Sequence, residues 1–165
     1  MQKLLLCCGL AAAVLSQAPA QAQDAKTDAG KDLEINASQL KWGPAPAVLP
    51  KGASFAVLAG DPFKEGLYVV RLKLPSGYRV SAHSHPTDEF ITVLSGNFYL
   101  GMGDKIDAAH GKPLTTGGFV VAPAKMNHYG LTTSPTVIQI HGQGPFQINY
   151  VDPANDPSRV ASGKK

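Results

Sequence analysis

The stretch G-Y-R-V-S-A-H-S-H-P-T-D-E-F-I-T-V-L-S-G, residues 77–96, decides how the rest of the chain is read. His83 and His85 are two apart, so on an extended strand both side chains leave the same face. Glu89 follows four residues after His85 and can turn back toward them after Pro86. Two imidazoles and one carboxylate then converge on a point. Such donors suit borderline transition metals, and two His plus one carboxylate can form a facial set that leaves positions open for a substrate. His128, far along the chain, can supply a fourth ligand from another strand.

Outward from this stretch, apolar runs alternate with turn clusters such as Pro50-Lys51-Gly52, Gly60-Asp61-Pro62, Pro75-Ser76-Gly77 and Ser134-Pro135. With 17 Gly, 13 Pro and few charges in 165 residues, the chain suits many short strands better than long helices. One domain is expected. Strands are predicted at 54–58, 67–74, 78–85, 90–94, 98–102, 119–122, 128–132, 136–141 and 147–151. Residues 41–152 thus read as an all-β sandwich or barrel. Residues 23–40 read as a flexible leader, and 153–165 as a flexible tail.

The order of residues 77–96 is G-x5-H-x-H-x3-E-x6-G, running from Gly77 through His83, His85 and Glu89 to Gly96. At this chain's own composition, that pattern is expected by chance about 3 times in 100,000. It resembles the first motif of the cupin superfamily at every defined position. Gly117, Pro123 and His128 match the second motif, G-x5-P-x-G-x2-H-x3-N, while Lys125 replaces its glycine and Thr132 its asparagine. The stretches 49–52, 60–62 and 141–146 are also similar to those of small bacterial single-domain cupins. The resemblance implies a double-stranded β-helix, a jelly-roll-like barrel holding one metal ion inside one end, often assembled as a homodimer. It leaves the reaction open, since cupins include dioxygenases, other enzymes and zinc-binding modules.

Three further residues are candidates for contact with a substrate or with the ligands. In the run Val137 to His141, Gln139 and His141 share the face opposite Ile138 and Ile140; they either line the barrel or meet solvent. Tyr99 could point its hydroxyl into a pocket. His110 reads as a solvated loop residue. There is no G-x-S-x-G, no Gly-rich phosphate loop and no cysteine beyond Cys7 and Cys8, so catalysis would fall to the metal. Dioxygenase or related oxidoreductase chemistry on a small oxygen-bearing molecule leads by family analogy, with a non-catalytic zinc- or small-molecule-binding module as the alternative.

The N-terminus reads as a secretory signal: Lys3, an apolar run from Leu4 to Leu15, and Ala20-Gln21-Ala22 before a cleavage at Gln23, with Ala18-Pro19-Ala20 as the alternative site. About 12 apolar residues fall short of the ~20 that span a bilayer. A signal over 1–22 places the mature chain in the periplasm or outside the cell, free of the membrane and of both cysteines. The formal charge of +3 is scattered, and no footprint for nucleic acid is expected. With no twin-arginine pair the chain should cross unfolded and collect its metal outside. There, affinity favours zinc or copper, then nickel, whereas cytosolic folding could supply iron or manganese.

Overall fold

A computed structural model of the protein describes residues 34–107 and 113–161. The expected signal, the leader up to residue 33, and His110 lie outside them. The described residues form eleven strands: β1 Gly43–Pro44, β2 Ser54–Ala59, β3 Gly66–Leu74, β4 Arg79–Ser84, β5 Glu89–Ser95, β6 Asn97–Met102, β7 Leu114–Thr115, β8 Phe119–Ala122, β9 His128–Leu131, β10 Thr136–Gly144 and β11 Asn149–Tyr150. Each of the nine predicted strands has its counterpart. β1 and β7, at two residues each, carry too few alternating positions to register in the sequence. The segment from Pro153, expected to fray, opens with a 3-10 turn, Pro153–Asn155, and a short helix α1, Pro157–Ala161. The Asp152 carboxylate accepts from Ala154 N and that of Asp156 from Ser158 N, which gives these turns their caps.

The strands form two antiparallel sheets, one in the order β1-β2-β3-β10-β5-β8 and the other β11-β4-β9-β6-β7. Alternation decides which face is inside. Along β3, Tyr68, Val70, Leu72 and Leu74 are buried, while Leu67 and Lys73 are exposed. β10 lies between β3 and β5, with Ile140 opposite both Val70 and Ile91. These side chains join Val93, Phe98, Ile138, Leu49, Ala53 and Tyr78 in one core. Each fully buried aliphatic or aromatic side chain contributes about 1.5–3 kcal/mol, so this layer holds the two sheets together.

Two local features place the histidine strands. β4 and β9 pair Val80 with Gly130 but His83 with His128, so β4 carries one extra residue between them. Without that bulge, Val80 and His83 would face opposite sides of the sheet; with it, both face the interior. The turn from β5 into β6 requires glycine at position 96. There φ is +77°, and an added Cβ would overlap the Pro135 carbonyl oxygen.

Candidate metal centre

His83 on β4, His85 just beyond it and His128 on β9 bring their imidazoles together inside the barrel. One ring nitrogen from each lies within 4.8 Å of the others. The ring centroids are 4.3 Å apart for His83 and His128, 4.9 Å for His83 and His85, and 5.1 Å for His85 and His128. Glu89, the first residue of β5, reaches across from the other sheet. Its Oε2 lies 3.5 Å from His85 Nε2 and 3.9 Å from His128 Nε2. Two donors bound to a common ion at about 2.1 Å stand roughly 3 to 3.4 Å apart, so these spacings are close to those of a shared ligand set. All four residues are buried, with Glu89 the most exposed at 7%.

The backbone determines which ring nitrogen faces inward. His83 Nδ1 lies 2.7 Å from Ser81 O, His85 Nδ1 2.5 Å from Gln147 O, and His128 Nδ1 3.0 Å from Met126 O. A carbonyl oxygen can only accept, so each Nδ1 carries the proton and donates it, leaving a lone pair on each Nε2. This is the outer support that metal-binding histidines use. His85 Nε2 and His128 Nε2 are buried and find no hydrogen-bond partner among the described residues. They share their space with a carboxylate, which is another acceptor. Buried acceptors facing one another are costly unless a cation lies between them.

The proton affinities express the same demand. Burial holds His83 down to about 4, reinforced by the neighbouring charges of His128 and His85. Burial likewise lowers His128. For His85 burial opposes the charge, but the Glu89 carboxylate outweighs it and the net direction is up. Burial pushes Glu89 upward, yet its contacts with His85 and the other histidines leave it lowered. His85 and Glu89 thus each stabilise the other's charge.

The second-motif departures have structural roles. Lys125 adopts φ 63°, the left-handed conformation that suits a glycine, and its N–H donates to His85 O at 2.8 Å. The turn geometry therefore survives the substitution. Thr132 accepts from Tyr78 N at 3.0 Å and donates to Pro75 O at 2.7 Å, so it ties β9 to the turn before β4 rather than supporting a ligand.

Three expected contact residues lie elsewhere. Ile138 and Ile140 take the buried positions of β10, which turns Gln139 and His141 to the outer face. Gln139 accepts from Arg71 Nε at 3.0 Å, and His141 stacks on Phe90 with centroids 4.9 Å apart. Phe98 and Leu100 of β6 point to the metal-side cavity, so Tyr99 faces away and borders a surface groove with Arg79 and Thr133. Sequence reasoning missed Leu49, Phe146 and Ile148, which lie outside the strands and close the cavity beside the histidines. Leu49 and Phe146 fall in the stretches 49–52 and 141–146 already noted for resemblance, and that was the available signal. Val48 O accepts from Tyr150 Oη at 2.7 Å and Pro50 O from Tyr78 Oη at 2.6 Å, which pins Leu49 in place.

Two antiparallel sheets closed around an inward histidine cluster define a cupin. Solved structures agree on that fold. The chain is similar to the polyketide cyclase RemF from Streptomyces resistomycificus (TM-score 0.61, 16% identity, covering 78% of this chain and 92% of that one). It is also similar to a provisionally assigned acetylacetone dioxygenase from Methylibium petroleiphilum (TM-score 0.58, 20% identity, 77% and 85%). A third similar structure is an RmlC-like cupin from Ralstonia eutropha (TM-score 0.54, 18% identity, 72% and 71%). Over residues 15–149 the chain matches the family described as a domain of unknown function, DUF4437, and it belongs to that family. None of the curated proteins is similar enough to match it.

Proposed function

We propose that the protein is an exported metal-dependent enzyme acting on a small oxygen-bearing organic molecule, with dioxygenase or related oxidoreductase chemistry as its leading form. One observation carries the reading: three imidazoles, each anchored through Nδ1, aim Nε2 lone pairs at a buried point that also faces the Glu89 carboxylate. His83, His85 and His128 would hold a divalent ion, with Glu89 as the fourth ligand. Such an ion supplies Lewis-acid polarisation of a bound oxygen or, when redox active, chemistry with dioxygen. The chain's own part is to orient the ligands through the three carbonyl contacts and to exclude water with apolar walls. Glu89 also offers a carboxylate able to take a substrate proton. Similar folds in a polyketide cyclase and a provisionally assigned dioxygenase add the weight of analogy only.

The export signal favours zinc or copper in the native periplasm, with nickel next; iron or manganese would follow from cytosolic loading. A homodimer is also proposed, supported by the outer face of the six-stranded sheet. There Leu67 is 76% and Phe119 53% exposed, beside the stacked Phe90 and His141. Among the described residues no helix is long and apolar enough to cross a membrane. A second reading, a closed four-coordinate zinc site in a binding module, is favoured by the burial of all four donors. The test is metal analysis of protein recovered from its own periplasm, followed by dioxygen-consumption measurements with small catechols, enediols and diketones. One metal per chain with turnover is expected. Lack of stoichiometric metal would sink both readings, whereas saturated tetrahedral zinc without turnover would leave the second.

A further inference from the structure

The wall of the cavity beside the histidines constrains what can bind there. Apart from His83, His85, Glu89, His128 and Gly130, every lining side chain is apolar. Leu72, Ile91 and Ile140 come from one sheet and Leu100 from the other, while Leu49 and Phe146 come from the connections. Among the described residues no lysine, arginine, hydroxyl or amide side chain lines it. Its volume is about 40 Å³. A water-sized group needs about 10–15 Å³ on this measure, so roughly three or four such groups fit.

We propose that the site takes a short chelator with no charge beyond the oxygen pair that binds the ion and a hydrocarbon remainder of one or two carbons, rather than a sugar, a polyol or a dianionic acid. The inference rests on the metal-centre reading above and names its ligand class. A second charge on the ligand would have to leave water for apolar walls that offer no countercharge beyond the ion, beside a carboxylate that repels an anion. Extra hydroxyls would lose their water partners with nothing to replace them. Alkyl groups meet only carbon. The size limit is set in part by Phe146, whose ring lies 5.4 Å from that of His85. It sits in the connection after β10 rather than in a sheet, so it can be trimmed without opening a strand.

The experiment uses the cobalt(II)-loaded protein and visible absorption, which reports ligand binding without any turnover. Three hydroxamates share the same oxygen pair and differ only in what is attached: acetohydroxamate, succinomonohydroxamate with its terminal carboxylate, and benzohydroxamate with its phenyl ring. Acetohydroxamate is expected to bind and shift the cobalt bands. The carboxylate-bearing probe should bind about a hundredfold more weakly. Benzohydroxamate should be excluded by the parent and admitted by Phe146→Ala. Equal or tighter binding of the succinyl probe, or no response to acetohydroxamate, would overturn the ligand class while the cobalt spectrum leaves the metal centre standing. Failure to take up cobalt would instead overturn the centre itself. The comparison within the parent protein needs no variant, so it stands if Phe146→Ala misfolds.

Discussion

Glu89→Gln separates a four-ligand centre from a three-histidine one, because it removes the charge while keeping an oxygen and nearly the same volume. Glu89 Oε2 is 3.5 Å from His85 Nε2, and the residue is 7% exposed. A unit charge pair at that distance interacts by about 5 kcal/mol at an effective dielectric constant of about 20, before desolvation is subtracted. A divalent ion in the same place gains about twice that. Burial of the carboxylate offsets much of it, and the introduced amide oxygen can still coordinate weakly. A net loss of about 3 kcal/mol remains, or metal affinity lower by about 100-fold or more. Competition against a chelator, read by calorimetry or a chromophoric indicator, gives the affinity. The metal-free variant should melt close to the parent near neutral pH, since the introduced amide N–H can donate to the His85 Nε2 lone pair. An affinity within about threefold of the parent would show that Glu89 is not a ligand.

Other perturbations test the scaffold around the centre. Gly96→Val should destabilise by at least about 3 kcal/mol, because strain at positive φ adds to overlap with Pro135 and Thr136; Gly77→Val, with φ +75° but open space around it, should cost less. Thermal melts of the two would rank them, and equal melting points would refute the packing argument. In metal-free protein, His83 is held near 4 against 6.5 for the unfolded chain, so the unfolded state binds more protons between those values. Its contribution, about 3 kcal/mol at ~1.4 kcal/mol per pH unit, is full above pH 6.5 and lost as pH falls toward 4. Urea unfolding of the parent and His83→Gln across that window should show a flatter dependence in the variant, and parallel curves would count against it. His141→Ala and Gln139→Ala should leave metal stoichiometry and affinity unchanged, since both side chains lie on the outer face. Metal loss in either would mean that β10 is turned the wrong way.

How much of this was legible in the chain follows from the range of each interaction. The strand period, the turn residues and the 83, 85, 89 spacing are local, and the strands and the convergence of three donors were readable from them. The orientation of β10 was not. Val137 to His141 alternates apolar with polar on either assumption, and only packing of Ile138 and Ile140 against β3 and β5 decides which face is inside. The same holds for Tyr99, which alternates with Phe98 and Leu100 on a strand short enough for either face to be buried.

By itself, then, the sequence determined that the chain is an all-β cupin and that His83, His85, Glu89 and His128 are its candidate donors, because motif spacing and strand alternation act over a few residues. Only the tertiary structure decided how the donors are aimed. The bulge in β4 aligns Val80 with His83, carbonyls from residues 81, 126 and 147 hold the imidazoles by Nδ1, and Leu49 and Phe146 close the cavity from connections far apart in the chain. These are contacts between distant segments. No local pattern encodes them, because each depends on which strands pair and in what register.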